Sequence, residues 1–185
     1  MLKKTNKSRK RGNRMEIKTL ISQEDLQKRI LQLAKKIKED YQGREITILC
    51  ILKGAAPFTM ELIQHMDCKM TLEFMQLSSY LGKESTGKIT VKKQIEENLI
   101  KDKNILIVED IVDTGRSMAF MRKYLQQKGA KDIKICTLLN KKERRIEQVP
   151  IDYIGFEIED KFVLGYGLDY DEYYRNLPYI GYVEE

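Results

Sequence analysis

The sequence predicts an α/β fold, a mostly parallel sheet flanked by helices, and three observations carry that prediction. Apolar runs of strand length recur at Ile46–Leu52, 105–108 and 133–139. They are apolar at successive positions rather than alternating ones, the pattern of strands covered on both faces. Stretches with helical periodicity separate them, so strand and helix alternate along the chain. A length of 185 residues, 42% apolar and 34% charged, is enough for one hydrophobic core and argues against disorder.

The elements follow in order. Ser22 reads as a helix N-cap, with Glu24 and Asp25 in the first turn; Leu26, Ile30, Leu33, Ala34 and Ile37 then recur at helical spacing. Lys35, Lys36 and Lys38 fall in the last turns, where the helix dipole favours cations. The strand Ile46–Leu52 empties into Lys53-Gly54-Ala55-Ala56-Pro57, and Pro57 suits the first position of a helix carrying Phe58, Leu62, Ile63 and Met66. Residues 71–77 form a second strand, and 78–88 a polar loop. The strand 105–108 precedes a helix over 117–128 that stops at Gly129. Residues 133–139, 153–158 and 162–166 complete the strands.

Composition narrows the function. The formal net charge is +6, but residues 1–14 hold seven basic residues and no acidic one, leaving 27 basic and 28 acidic residues in the remainder. The basicity belongs to a tail expected to be disordered, so nucleic acid is not the expected partner. No apolar run approaches the ~20 residues that span a bilayer. None follows the basic start either, so no secretory signal or membrane partner is expected and the expected location is cytoplasmic. Cys50, Cys68 and Cys136 are widely spaced, and two of them sit in strand runs as buried, inert thiols. With His65 the single histidine, a zinc site or a Ser-His-Asp triad is not expected.

Parallel sheets bind ligands at the carboxyl ends of their strands. One such end reads Val108-Glu109-Asp110-Ile111-Val112-Asp113-Thr114-Gly115-Arg116-Ser117. A glycine turn opening a helix aims backbone N–H groups and the positive dipole end at one spot. Thr114, Arg116 and Ser117 add donors and charge suited to a phosphate monoester. Glu109 and Asp110 can accept hydrogen bonds from vicinal hydroxyls, and side by side they would repel each other without a ligand or metal. Together they describe a phosphosugar site. An ordinary strand-turn-helix junction explains Asp113 and Gly115 but not the two further acids.

This stretch resembles the phosphoribosyl diphosphate (PRPP) motif of type I phosphoribosyltransferases. Within that family the chain is similar to the hypoxanthine-guanine phosphoribosyltransferases from about residue 46 to 183. The resemblance rests on Ile51-Leu52-Lys53-Gly54, Leu77-Ser78-Ser79-Tyr80, the PRPP motif, Leu138-Leu139-Asn140-Lys141, and Gly155-Phe156-Glu157-Ile158 through Asp169-Tyr170 to Arg175. It implies one domain over 15–185, with a core at about 46–150 and a small hood formed by the N- and C-terminal segments, about 15–45 and 151–185. It also implies purine salvage: the 5-phosphoribosyl group passes from PRPP to hypoxanthine or guanine, giving IMP or GMP and pyrophosphate.

The resemblance assigns roles as well. Glu109, Asp110, Asp113, Thr114, Gly115, Arg116 and Ser117 bind PRPP, and Asp113 is the candidate general base. Backbone N–H groups of Lys53, Gly54 and Ala55, with Arg175, bind pyrophosphate, and a cis bond is expected at Leu52–Lys53. Ser78, Ser79 and Tyr80 begin a mobile loop. Lys141 contacts the purine 6-oxo group, Phe162 stacks on the base, and Val163 and Asp169 bind its edge. Mg²⁺ is the implied cofactor, near Asp169, Glu109 and Asp110. A homo-oligomer, dimer or tetramer, is implied, with the contact near residues 71–80. Taken singly, Phe162 reads as core, and Lys141 as part of a solvated charge run with Lys142, Glu143, Arg144 and Arg145. A different class remains open: a nucleotide-sensing regulator on the same fold that uses its basic tail on nucleic acid.

Overall fold

The structure, a computed structural model, describes residues 16–79, 89–93 and 95–184. The expected basic tail and most of the expected loop at 78–88 lie outside these residues. In chain order the elements are β1 (Ile17–Ile21), α1 (Gln23–Tyr41), β2 (Ile46–Leu52), α2 (Ala56–Gln64), β3 (Met70–Ser79), β4 (Ile89–Lys93), β5 (Asn104–Val112), α3 (Arg116–Gln127), β6 (Asp132–Asn140), β7 (Tyr153–Glu157), β8 (Val163–Leu164) and β9 (Ile180–Val183), with a 3₁₀ turn at Glu97–Leu99.

Six strands form the main sheet in the order β4-β3-β2-β5-β6-β7. All neighbours are parallel except the β3–β4 pair, which is antiparallel. Successive residues of the central strands alternate faces, and the two faces fill two cores. Ile46 and Ile48 of β2 and Leu106 and Val108 of β5 pack under α1 and α2, beside Leu26, Ile30, Phe58 and Leu62. Leu49, Ile51, Ile105 and Ile107 pack on the other side, beside Met118, Met121 and Leu125 of α3. This two-sided burial explains why the strand runs are apolar throughout. Cys50 and Cys136 are buried in these strands, and burial pushes both thiols up, as expected of inert cysteines.

The first helix begins as its sequence predicts: the Ser22 hydroxyl accepts the Asp25 N–H at 3.1 Å and donates to the Asp25 carboxylate at 2.6 Å. Its apolar stripe is buried, and Arg29 on its flank donates to the carbonyls of Ile154 and Gly155 of β7, at 2.8 Å each. A smaller antiparallel sheet, β1-β9-β8, joins the two ends of the described chain. Its strands come from the segments 15–45 and 151–185 from which the hood is expected. The helix α1 packs on α2 and β7, and β7 belongs to the main sheet.

Other boundaries also shift. The second helix starts at Ala56, one residue before Pro57. Ser78 and Ser79 are not loop residues: their backbones continue β3, opposite Thr90 and Ile89 of β4, because pairing carries the strand past its apolar stretch. The expected strand at 162–166 shortens to Val163–Leu164, since Gly165 and Gly167 at φ +94° and +101° turn the chain there. The strand β5 runs four residues beyond Val108, so Glu109 and Asp110 lie within it and not after it. Its ladder to β6 continues through Glu109↔Thr137 and on to Val112↔Asn140, which outweighs the low strand preference of two acids.

One glycine shows how tightly β6 and β7 pack. A Cβ on Gly155 would lie 2.4 Å from the backbone carbonyl oxygen of Leu138, which cannot retreat without disturbing β6. Gly155→Ala should therefore destabilise the protein by about 1–3 kcal/mol, measured by denaturant unfolding.

Candidate active site

The sheet order places its switch point between β2 and β5, where the chain proceeds outward in opposite directions, and the carboxyl ends of these strands open a crevice. At the end of β2 the Leu52–Lys53 peptide is cis, as expected. Gly54 then passes so close to β5 that a Cβ there would lie 1.6 Å from Asp110 Oδ2. A side chain at this position would have to displace the Asp110 carboxylate. On its other side Gly54 meets Gly167, whose own Cβ would lie 2.0 Å from the Gly54 carbonyl oxygen. Two distant segments thus converge on the Lys53-Gly54 turn. The expectation for Ala55 needs correction: it is fully buried, and its N–H donates to the Ile51 carbonyl at 3.3 Å rather than standing free for a ligand. The turn into α2 closes one residue earlier than a diphosphate-facing Ala55 requires.

The acidic pair sits in a poorly hydrated place. Glu109 Oε2 is shut off from water and has no hydrogen-bond partner among the described residues. Burial, reinforced by the neighbouring Asp110 charge, raises its pKa well above the carboxylate range. Asp110 is pushed up to about 6, chiefly by burial, although the Ile111 N–H donates to its Oδ1 at 2.8 Å and opposes the shift. The Arg175 charge favours the ionised Asp110, but neither acid forms an ion pair among the described residues, and a hard divalent cation or a diol donor would satisfy them further.

Beyond them the chain turns at Gly115 (φ +81°), the N-cap of α3, with no side chain capping the helix. The cap is therefore Gly115, which offers no side chain, and of the first-turn N–H groups that of Arg116 makes a long contact to the Thr114 hydroxyl at 3.5 Å. A cavity of about 90 Å³ lies here, lined by Glu109, Asp113, Thr114, Gly115 and Ser117 among others. That is about three times the ~30 Å³ share of one water. A Cβ on Gly115 would meet the Glu147 carbonyl oxygen at 2.4 Å, and the Ile146 and Glu147 N–H groups donate to the Thr114 carbonyl. The segment after β6 therefore clamps the back of this loop. A larger concavity of about 380 Å³, with Lys142, Gln148, Val149 and Ile154 in its wall, lies behind that clamp. It contains none of the candidate site residues of the sequence; Asn140, Lys142 and Arg145 flank Lys141 in the chain.

Asp113 faces the open side, and its Oδ1 is buried without a hydrogen-bond partner among the described residues. The guanidinium of Arg144 stands 3.4 Å from that oxygen and 3.5 Å from Asp160 Oδ1. Asp160 also pairs with Lys141 Nζ at 3.2 Å. Lys141 is 6% exposed, unlike the exposed Lys142, Glu143 and Arg144, so it does not belong to a solvated charge run. Phe162 reverses its single-residue reading too: it is 52% exposed, with its ring set edge-on to Tyr170 at 5.4 Å between centroids. Val163 beside it is buried in β8.

The last group comes from the turn after β8. Arg175 donates through Nη1 to the Gly167 carbonyl at 2.8 Å, and its Nη2 lies 2.8 Å from Asp169 Oδ1 and 3.2 Å from Glu172 Oε1. Glu172 Oε2 accepts from Lys53 Nζ at 2.6 Å, and the lysine holds the Glu172 carboxyl below the usual range. The structure thus brings together Lys53, Gly54, Glu109, Asp110, Asp113, the α3 N-terminus, Asp169 and Arg175. Lys141, Phe162 and Val163 sit to one side. The side chains of Ser78 and Ser79, and all of Tyr80, lie outside the description. Sequence reasoning missed Arg144, Asp160, Gly167 and Glu172.

Comparison with known proteins adds an independent observation. A family model for the phosphoribosyl transferase domain matches residues 17–171. The hypoxanthine-guanine phosphoribosyltransferase of Streptococcus thermophilus (strain CNRZ 1066) is 40% identical over 169 residues, covering 91% of this chain and 93% of its own. The enzyme of that name from Lactococcus lactis subsp. lactis is 43% identical over 165 residues, 89% of each chain. A crystal structure of a hypoxanthine-guanine phosphoribosyltransferase from Bacillus anthracis, with HEPES in its active site, is similar with a TM-score of 0.86 at 43% identity. It covers 91% of this chain and 100% of that one.

The buried acids carry a stability cost with a defined sign. The folded-state pKa of Asp110 lies above its ordinary 3.8, so the folded chain binds this proton more tightly than the unfolded chain does. The resulting stabilisation is complete below about pH 4 and is lost as pH rises through about 6. Asp110→Asn should therefore stabilise the ligand-free protein by about 1–3 kcal/mol at pH 8 and leave it unchanged near pH 3.5. Denaturant unfolding at the two pH values checks this; equal effects at both would contradict it.

Proposed function

The chain belongs to the phosphoribosyltransferase family, and from that premise we propose that it is a hypoxanthine-guanine phosphoribosyltransferase of purine salvage. It transfers the 5-phosphoribosyl group from PRPP to hypoxanthine or guanine, giving the nucleoside monophosphate and pyrophosphate. The observation that carries this reading is the contact across β2 and β5. A cation-bearing turn at Lys53-Gly54 rests on Asp110 of the acidic pair, whose strand continues into a glycine turn and a helix N-terminus without a side-chain cap. A diphosphate, a ribose diol and a 5′-phosphate need those three environments side by side.

The residues divide the work accordingly. The 5′-phosphate occupies the turn at Thr114, Gly115, Arg116 and Ser117, where N–H groups and the helix dipole meet it. Glu109 and Asp110 accept the ribose hydroxyls. The purine lies between Phe162 and the phosphate loop. Lys141 donates to its 6-oxo group, and backbone groups near Val163 and Asp169 meet its edge; an ammonium suits a carbonyl and not an exocyclic amine. A purine ring nitrogen bonds to the anomeric carbon while that carbon's bond to the diphosphate oxygen breaks, its electron pair leaving with pyrophosphate. The ring N–H proton passes to Asp113, whose buried Oδ1 has no other hydrogen-bond donor among the described residues. Lys53, the Lys53 and Gly54 amides and Arg175 stabilise charge growing on the leaving group.

Mg²⁺ fits the acids present: Glu109 Oε2 has no hydrogen-bond partner among the described residues, and Asp169 reaches the same turn as Arg175. Among the described residues no three acid, His or Cys side chains converge, so diphosphate and water oxygens would complete the shell. When bound, the ion would neutralise diphosphate charge. The cytoplasm is the proposed location; no described helix is long and apolar enough to cross a membrane. The assembly is a homo-oligomer, dimer or tetramer, through the β3 region at residues 71–80. Light scattering after gel filtration should show twice or four times the chain mass of 21.8 kDa.

The test is pyrophosphate release from PRPP and hypoxanthine, guanine or xanthine in competition, with magnesium. Release with hypoxanthine and guanine is expected, and none with the folded protein would favour the nucleotide-sensing regulator. In the same assay Asp113→Asn should lower turnover at least tenfold with PRPP affinity nearly unchanged; wild-type turnover would remove Asp113 from its role.

A further inference from the structure

We propose that Glu172 is a built-in competitor for the diphosphate: it occupies the two cations of that subsite in the free protein and weakens both substrate and pyrophosphate binding there. The inference rests on the function proposed above, which gives Lys53 and Arg175 their ligand. Each oxygen of the Glu172 carboxylate takes one of these cations, Oε2 at 2.6 Å from Lys53 Nζ and Oε1 at 3.2 Å from Arg175 Nη2. The carboxylate thus bridges the turn after β2 and the turn after β8 at the place where two diphosphate oxygens would do so.

The backbone around it is arranged for this contact. Asp171, Glu172 and Tyr174 all hold left-handed conformations, with φ of +51°, +67° and +69°. Such angles are uncommon outside glycine, and three in four residues persist only where the surroundings hold them. Here the Glu172 N–H donates to Asp169 Oδ2 at 2.9 Å, and Asp169 in turn pairs with Arg175. The side chains of Lys53 and Glu172 are both more than half exposed, so the pair opens at little cost. A polyphosphate with several negative charges displaces one carboxylate readily. Once pyrophosphate is the product, the same carboxylate returns to the cations and opposes rebinding.

Isothermal titration of magnesium pyrophosphate into the full chain tests this, with stopped-flow measurement of its dissociation. Glu172→Gln keeps the shape and removes the charge; it should tighten binding about three- to tenfold and slow dissociation by a similar factor. Asp171→Asn removes the same charge one residue away without an ion pair to either cation, and should change binding less than twofold. Unchanged or weaker binding by Glu172→Gln, or equal tightening by Asp171→Asn, overturns the proposal. Absence of pyrophosphate binding by the wild-type protein would instead overturn the functional reading beneath it.

Discussion

The approach of Gly54 to Asp110 is the constraint on which the rest of the site depends. A side chain at Gly54 would displace the Asp110 carboxylate, so the turn after β2 is seated against the acidic strand β5. Gly167 closes on the same turn from the opposite side and brings Asp169, Glu172 and Arg175 with it. Removing that clearance would separate groups that act on different ends of one ligand. Precision here comes from close approach of backbone to a short side chain at Asp110 and to backbone at Gly167, not from the reach of long side chains.

A second organising fact is the separation of charge. The acids Glu109 and Asp110 form no ion pair among the described residues, while the cations Lys53, Arg144 and Arg175 are paired with Glu172, Asp113 and Asp169. The free protein therefore holds unfavourable electrostatics on one side of the crevice and provisional pairs on the other. A ligand that carries hydroxyl donors, a divalent cation and a polyphosphate relieves the first and replaces the second. Its binding energy is drawn partly from electrostatic strain already present in the empty crevice.

Much of this was legible in the sequence because it was written locally. The strand runs, the Ser22 cap, the Lys53-Gly54 turn and the succession from Glu109 to Ser117 are contiguous patterns whose chemistry does not depend on distant partners. The missed residues share the opposite property. Arg144, Asp160 and Glu172 look like ordinary surface charges until the turns after β6 and β8 fold back on the crevice, and Gly167 looks like any loop glycine until Gly54 arrives beneath it. Phe162 misled as a single residue because hydrophobicity alone does not tell a core ring from a platform. Ala55 misled because a buried N–H and a ligand-facing one look identical in sequence. Glu109 and Asp110 lie inside a strand because ladder pairing outweighs the preference of the residues themselves.

Arg29 has an effect well away from the crevice. β7 is the outermost strand of the main sheet on that side, and the outer strand of any sheet displays backbone groups that a strand from another molecule can pair with. Successive carbonyls of a strand point to opposite sides, so of the two β7 carbonyls that Arg29 holds, one is an acceptor that an incoming strand would need, and Arg29 fills it. The interaction that docks α1 onto the sheet thereby ends the sheet as well, and protects a protein rich in β-structure from growing edge to edge into aggregates.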